Sequence, residues 1–260
     1  MRHLHRSPTP FIWYELMTSD HEAAFAFYSQ VFGWSVSKSP LGSHEYLIAN
    51  AGPYAVGGMM TIPEEAGDGG MQPCWSSYLG VDDVEATCAQ VADAGGKVLC
   101  APADIPAVGR FAVLADPDGA MFIVMKPTST EPLPTIPENT PGVVGWRELH
   151  AANGDRALAW YTEQFAWTQA GGVDMGPLGT YHLFAAGREA VGGMMTKMPE
   201  APAPFWTFYF NVDGLDAAVA RVRAAGGKVQ VEAHEVPGPM WIAYVADPQG
   251  AVFGMVAQRR

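Results

Sequence analysis

Apolar residues alternate with others over positions 11–17, the pattern of a strand with one buried face. The period then changes. Ala24, Phe27, Tyr28 and Phe32 fall on one side of a helix predicted over 21–31, capped by Ser19 or Asp20 and ended by Gly33. Two short strands are expected near 45–49 and 55–61. The same order then restarts with a strand over 76–81 and a helix from an Asp82 or Asp83 cap to Ala94, stopped by Gly95 and Gly96. Strands follow over 97–100, 109–115 and 120–126, with Asp116-Pro117-Asp118-Gly119 as a turn before the last. This stretch reads as two βαβββ units.

The pattern recurs. Trp13-x-Glu15-Leu16 returns as Trp146-x-Glu148-Leu149, and Phe27-Tyr28-x-x-x-Phe32-x-Trp34 as Trp160-Tyr161-x-x-x-Phe165-x-Trp167. Ala55-Val56-Gly57-Gly58-Met59-Met60-Thr61 is repeated unchanged from Ala190 to Thr196. Ala94-Gly95-Gly96-Lys97-Val98 is repeated from Ala225 to Val229. Ala115-Asp116-Pro117-x-Gly119-Ala120 reappears as Ala246-Asp247-Pro248-x-Gly250-Ala251. Five matches in one order, offset by 131 to 135 positions, make the chain two homologous halves and four βαβββ units.

Composition adds limits. At about 150 residues per domain, 260 residues fit one large domain or two small ones, and the repeat selects two. The expected domains are 8–126 and 142–258. The linker between them, 127–141, holds Pro127, Pro132, Pro134, Pro137 and Pro141 and should be extended. With 48% hydrophobic and 16% charged residues, the chain is not of the disordered class. A net charge of −12 without a basic stripe argues against nucleic acid and anionic membrane as partners. No apolar run is long enough to span a bilayer, and no apolar stretch follows the basic start to make a secretory signal. Cys74, Cys88 and Cys100 lack CxxC spacing, which suits a reducing, cytoplasmic setting.

Taken together, the Phe-Tyr-x-x-x-Phe-Gly-Trp run, Val81-Asp82-Asp83, the Ala-Gly-Gly-Lys-Val repeat and the Asp-Pro-x-Gly turns resemble the vicinal oxygen chelate superfamily. That superfamily includes glyoxalases, extradiol dioxygenases, bleomycin-resistance proteins and fosfomycin-resistance enzymes. The Trp-x-Glu-Leu opening and the doubled half are most similar to a tandem bacterial subgroup labelled glyoxalase or hydroxylase. The resemblance implies an α+β fold: two tandem glyoxalase-like domains, each sheet curled into a cup that holds a metal or a ligand.

Metal-dependent members bind a divalent ion through about four His, Gln or Glu side chains. Carried over by motif register, the four positions fall on Trp13, Gly58, Ser76 and Ile123, and again on Trp146, Gly193, Thr207 and Gly254. None of these is a good ligand, and slipping the register by one residue does not help. No metal and no cofactor are therefore expected.

Strand alternation suggests what the cups hold instead. If Trp13 and Trp146 face inward, so do Glu15 and Met17, and Glu148 and His150. The first cup would hold Glu15, Met17, Ser76, Tyr78 and Gly80. The second would hold Glu148, His150, Thr207, Tyr209 and Asn211. The ligand-binding candidates are Trp13, Glu15, Met60, Tyr78, Trp146, Met195, Thr207, Tyr209 and Asn211. Glu148 and His150 are the catalytic candidates, as an acid/base pair or, with His182, as an unusual metal site. Plainer readings stand beside these: rim carboxylates for Glu15 and Glu148, a satisfied polar residue for His150, and core packing for the Gly-Gly-Met-Met runs.

The function expected is binding of a small aromatic or hydrophobic molecule in one or both cups. The alternatives are a lyase, isomerase or oxygenase around Glu148 and His150, or vestigial cups with a structural role. Whether the protein is an enzyme stays open, as does monomer against homodimer.

Overall fold

The computed structural model describes residues 7–38 and 46–260. The first half runs β1 (Phe11–Thr18), α1 (His21–Phe32), β2 (Ser35–Lys38), β3 (Leu47–Ala51), β4 (Tyr54–Thr61), a short α2 (Glu64–Asp68), β5 (Cys74–Gly80), α3 (Val84–Asp93), β6 (Lys97–Ile105), β7 (Gly109–Ala115) and β8 (Met121–Pro127). The second half repeats it as β9 (Val144–Ala151), α4 (Gly154–Phe165), β10 (Thr168–Asp174), β11 (Thr180–Ala185), β12 (Ala190–Thr196), β13 (Phe205–Asn211), α5 (Leu215–Ala224), β14 (Lys228–Val236), β15 (Met240–Ala246) and β16 (Val252–Ala257).

Local chemistry fixes the element ends. Asp20 accepts a hydrogen bond from the Ala23 amide and Asp83 one from the Ala86 amide, so these two aspartates are the caps. Gly33 closes α1 at φ 74°, a left-handed conformation that glycine adopts without strain. The strand expected over 45–49 is observed as Leu47–Ala51, and Glu45 lies outside the described residues. β2 carries no sequence signal, and β6 only a partial one, over 97–100. β2 is exposed at all four positions, and β6 runs to Ile105 rather than Cys100 with most residues exposed and two register shifts against β7. Both are edge strands, which need no alternating apolar face.

The architecture is α+β, two tandem domains each built on an eight-stranded sheet. The strand order is β2-β3-β4-β1-β5-β8-β7-β6 in the first half and β10-β11-β12-β9-β13-β16-β15-β14 in the second. Neither sheet closes into a barrel. The pairings β1–β4 and β5–β8 are parallel, and their counterparts in the second half match.

The chain folds into two compact units, and each takes a βαβββ unit from both halves. One comprises residues 7–12, Ser77–Glu131 and Arg147–Trp206. Its core joins Leu79, Val91 and Phe122 of the first half to Tyr161, Phe165 and Phe184 of the second. The other comprises Trp13–Ser76, Pro132–Trp146 and Thr207–Arg260. Its core is aromatic: Tyr28, Phe32, Trp34 and Trp75 of the first half pack with Phe210 and Phe253 of the second at ring separations of 5.0 to 6.2 Å, with Phe27 among them. Among the described residues no helix is long and apolar enough to cross a membrane.

Candidate functional site

In the unit that starts at Trp13, β1 and β4 run parallel with Glu15 beside Gly58 and Met17 beside Met60. Paired residues point to the same side of a sheet, so Trp13, Glu15, Met17, Gly58 and Met60 share a face. Trp75 lies on the opposite face, where its indole donates to the Tyr28 hydroxyl of α1 at 2.9 Å. By alternation along β5, Cys74 and Ser76 then belong to the Glu15 face.

A tyrosine that the sequence reading did not single out organises this face. Trp13 Nε1 donates to Tyr46 Oη at 2.8 Å, and Tyr46 Oη donates to Glu15 Oε2 at 2.9 Å. The Tyr46 ring lies over Gly58, where a Cβ would stand 1.8 Å from the tyrosine oxygen. The signal was available: glycine inside a strand marks close approach by another group. Burial, then the negative charge of Glu15, push the Tyr46 hydroxyl well above its ordinary pKa, so it remains a donor. Burial also raises the Cys74 thiol. Ser76 is close enough to oppose that shift, and Glu15 adds to it. Ser76 Oγ is itself buried.

The corresponding face in the other unit pairs Glu148 with Gly193 and His150 with Met195. Tyr181 covers Gly193 as Tyr46 covers Gly58, with a Cβ at Gly193 falling 2.2 Å from its hydroxyl. His150 takes the place that Met17 holds in the first half. Its ring stacks on Phe205 with centroids 4.5 Å apart, and its Nε2 is 3.7 Å from Glu148 Oε2. That exceeds hydrogen-bonding distance. Burial lowers the His150 pKa and the Glu148 charge only partly offsets it, so the ring is neutral at pH 7. His182 does not join this pair. Its Nε2 meets Asp155 of α4 at 2.7 Å, and it lies on the face opposite Tyr181.

The remaining candidates are distributed between the units. Tyr78 is buried beside Ile123 in the unit that holds Glu148 and His150. Trp146, Thr207, Tyr209 and Asn211 belong to the unit of Trp13 and Glu15. Thr207, Tyr209 and Asn211 are all buried. The Tyr209 hydroxyl bonds to that of Tyr244, its ring covers Gly254, and the Asn211 amide lies against Gly145. Glu148 and His150 stand on β9, and Thr207, Tyr209 and Asn211 on β13, its neighbour in the sheet order. The first-strand residue beside Gly58 is Glu15.

Comparison with known proteins places this architecture. The sequence profile of the Glyoxalase/Bleomycin resistance protein/Dioxygenase superfamily matches residues 11–124 and 145–255. The chain belongs to this superfamily. Within the superfamily it is 34% identical over 255 residues to the Mycobacterium bovis protein named "Putative glyoxylase CFP32", covering 97% of this chain and 95% of that one. It is 31% identical over 260 residues to the anthracycline biosynthesis protein DnrV of Streptomyces peucetius, covering 95% and 92%. Among solved structures it is similar to the Mn(II)-bound glyoxalase of Novosphingobium aromaticivorans, with a TM-score of 0.68 at 16% identity over 98% of this chain and 83% of that one. It is also similar to the 2,2',3-trihydroxybiphenyl 1,2-dioxygenase of Sphingomonas wittichii, with a TM-score of 0.67 at 14% identity over 96% and 91%. These structural likenesses show the fold alone.

The similar Novosphingobium aromaticivorans glyoxalase is Mn(II)-bound. Each of these carboxylates is paired in register with a glycine, Glu15 with Gly58 and Glu148 with Gly193. Among the described residues no three His, Cys, Asp or Glu side chains gather where they could hold an ion.

Proposed function

We propose that this protein, with domains at 8–126 and 142–258, is a cytoplasmic small-molecule binder that uses the faces around Glu15 and Glu148 without a metal. The observation that carries the reading is the Trp13–Tyr46–Glu15 chain, a part-buried polar relay on a face that also holds Met17, Met60, Cys74 and Ser76. Such a face offers apolar area for a flat or hydrophobic molecule and one polar anchor to orient it. The likeness to an anthracycline biosynthesis protein agrees with a polycyclic aromatic ligand.

The test is a thermal-shift panel of aromatic and cationic compounds on dialysed protein. At least one compound should raise the melting temperature, and Glu15→Gln or Glu148→Gln should reduce its shift. A panel without any response sinks the proposal. Elemental analysis of protein purified without chelator bears on the metal: stoichiometric iron, zinc, nickel or manganese that disappears in His150→Ala would overturn the metal-free reading.

A second reading, acid/base catalysis, draws on the neutral His150 ring held 3.7 Å from Glu148. It predicts turnover lost in both His150→Met and Glu148→Gln.

A further inference from the structure

The faces around Glu15 and Glu148 share a carboxylate, a tyrosine over a glycine and a methionine, but the residues beside these differ. His150 stands where Met17 stands in the first half, each next to a methionine of the neighbouring strand, Met195 and Met60. A second difference lies at the start of β5 and β13. Trp75 donates to the Tyr28 hydroxyl and Trp206 to the Tyr161 hydroxyl, so these two tryptophans correspond. The residues before them, Cys74 and Phe205, each the first of its strand, correspond too. Where the first half has Met17 and Cys74, the second has His150 and Phe205.

The exchange replaces a sulfur-lined patch with an aromatic one. The Phe205 ring lies on His150 with centroids 4.5 Å and planes 17° apart, yet Phe205 is 39% exposed. It offers a flat apolar surface to a further ring. Charge enters beside it. Glu148 Oε2 is 3.7 Å from His150 Nε2, and the imidazole, kept neutral at pH 7 by burial, does not cancel the carboxylate. The net charge of −12 adds a longer-range attraction for cations. Glu148, His150, Met195 and Phe205 all belong to one compact unit.

Resting on the small-molecule reading above, we propose that the Glu148 face, and not the Glu15 face, binds one planar aromatic cation per chain. The flat ring system lies against the Phe205–His150 stack, and its positive charge is held by Glu148. At the Glu15 face Met17 and Cys74 supply no ring at the corresponding place, so a carboxylate alone does not make the site. Phe205 is the residue that sets the aromatic preference, and Glu148 the one that sets the preference for charge.

The experiment titrates the dialysed full chain with proflavine, a flat dye that is a cation near neutral pH, followed by fluorescence polarisation and calorimetry. One equivalent should bind, more weakly as salt is added. Phe205→Cys, which installs the first-half residue at an exposed position, should weaken binding about tenfold or more. Glu148→Gln should weaken proflavine by about the same factor. It should leave unchanged the affinity for acridine, which has the same flat frame without the charge at this pH. Glu15→Gln should change neither. Two equivalents in the parent, loss of binding in Glu15→Gln, or full affinity in Phe205→Cys overturns the proposal. Equal losses of proflavine and acridine in Glu148→Gln overturn the role given to its charge. Proflavine that fails to bind overturns the proposal as well, and the wider compound panel then shows separately whether the small-molecule reading stands.

Discussion

Tyr28 Oη lies 3.1 Å from Asp247 Oδ2, a hydrogen bond that spans 219 positions of the chain inside an aromatic core. Asp247 Oδ1 also accepts from the Gln249 and Ala251 amides, so one carboxylate sets a turn and anchors a tyrosine from the opposite half. Replacing Tyr28 with Phe leaves Asp247 Oδ2 and Trp75 Nε1 short of a partner. The expected loss is about 1 to 3 kcal/mol of unfolding free energy. Urea denaturation followed by near-ultraviolet circular dichroism measures it. A Tyr28→Phe protein as stable as the parent would mean that the bond contributes nothing.

Asp247 should also show in the pH dependence of stability. Burial raises its pKa, and the Ala251, Tyr28, Gly250 and Gln249 hydrogen bonds only partly counter this. The folded state therefore binds the proton more tightly than the unfolded one. That contribution is full below the unfolded pKa and is lost as pH rises through the folded value. Asp247→Asn removes the titration. The stability of the parent relative to Asp247→Asn should be greater near pH 4 than near pH 7, read from denaturation midpoints across that range. A difference independent of pH would contradict the raised value.

His150 has the opposite sign. Its folded pKa is lowered by burial, so the folded state resists protonation. Stability is fully present above the unfolded pKa of about 6.5 and falls as pH drops toward the folded value. His150→Met, which installs the residue found at position 17, should flatten the melting temperature between pH 7.5 and pH 5. Equal acid sensitivity in the two proteins would place the titrating group elsewhere.

Gly58→Ala tests the tyrosine over the strand. A Cβ there would lie 1.8 Å from Tyr46 Oη and 2.1 Å from Cζ, so the ring has to move as a body. The relay from Trp13 to Glu15 should break. The cost is about 1 to 3 kcal/mol, typical of overpacking, with a change in tryptophan fluorescence. Tyr46→Phe should reproduce the loss of the Trp13 acceptor. The double variant should be less destabilised than the sum of the two, since they disturb the same ring.

Much of this was legible in the sequence because repetition and period are local. The helix caps, the Asp-Pro-x-Gly turns and the strands with one buried face follow from short-range rules. β2 and β6 were missed in whole or part because edge strands need no apolar period. The partners of Asp116 and Asp247 were invisible for a different reason. A turn aspartate satisfies its local amides whether or not a tyrosine 45 or 219 positions away reaches its second oxygen. Strand alternation puts Glu15 on one face with Trp13, but nothing in the sequence pairs Tyr46 with it. Only the strand register shows that the tyrosine sits above a glycine.

The ring above Gly58 has a consequence for any affinity measured at this face. A molecule that is to reach the strand there competes with a side chain already bonded to Trp13 and Glu15. Its observed dissociation constant is the intrinsic one divided by the fraction of molecules whose Tyr46 has swung away. Weak binding to the parent protein and tight binding to a Tyr46→Ala variant would then describe the same site, occupied first by the protein itself.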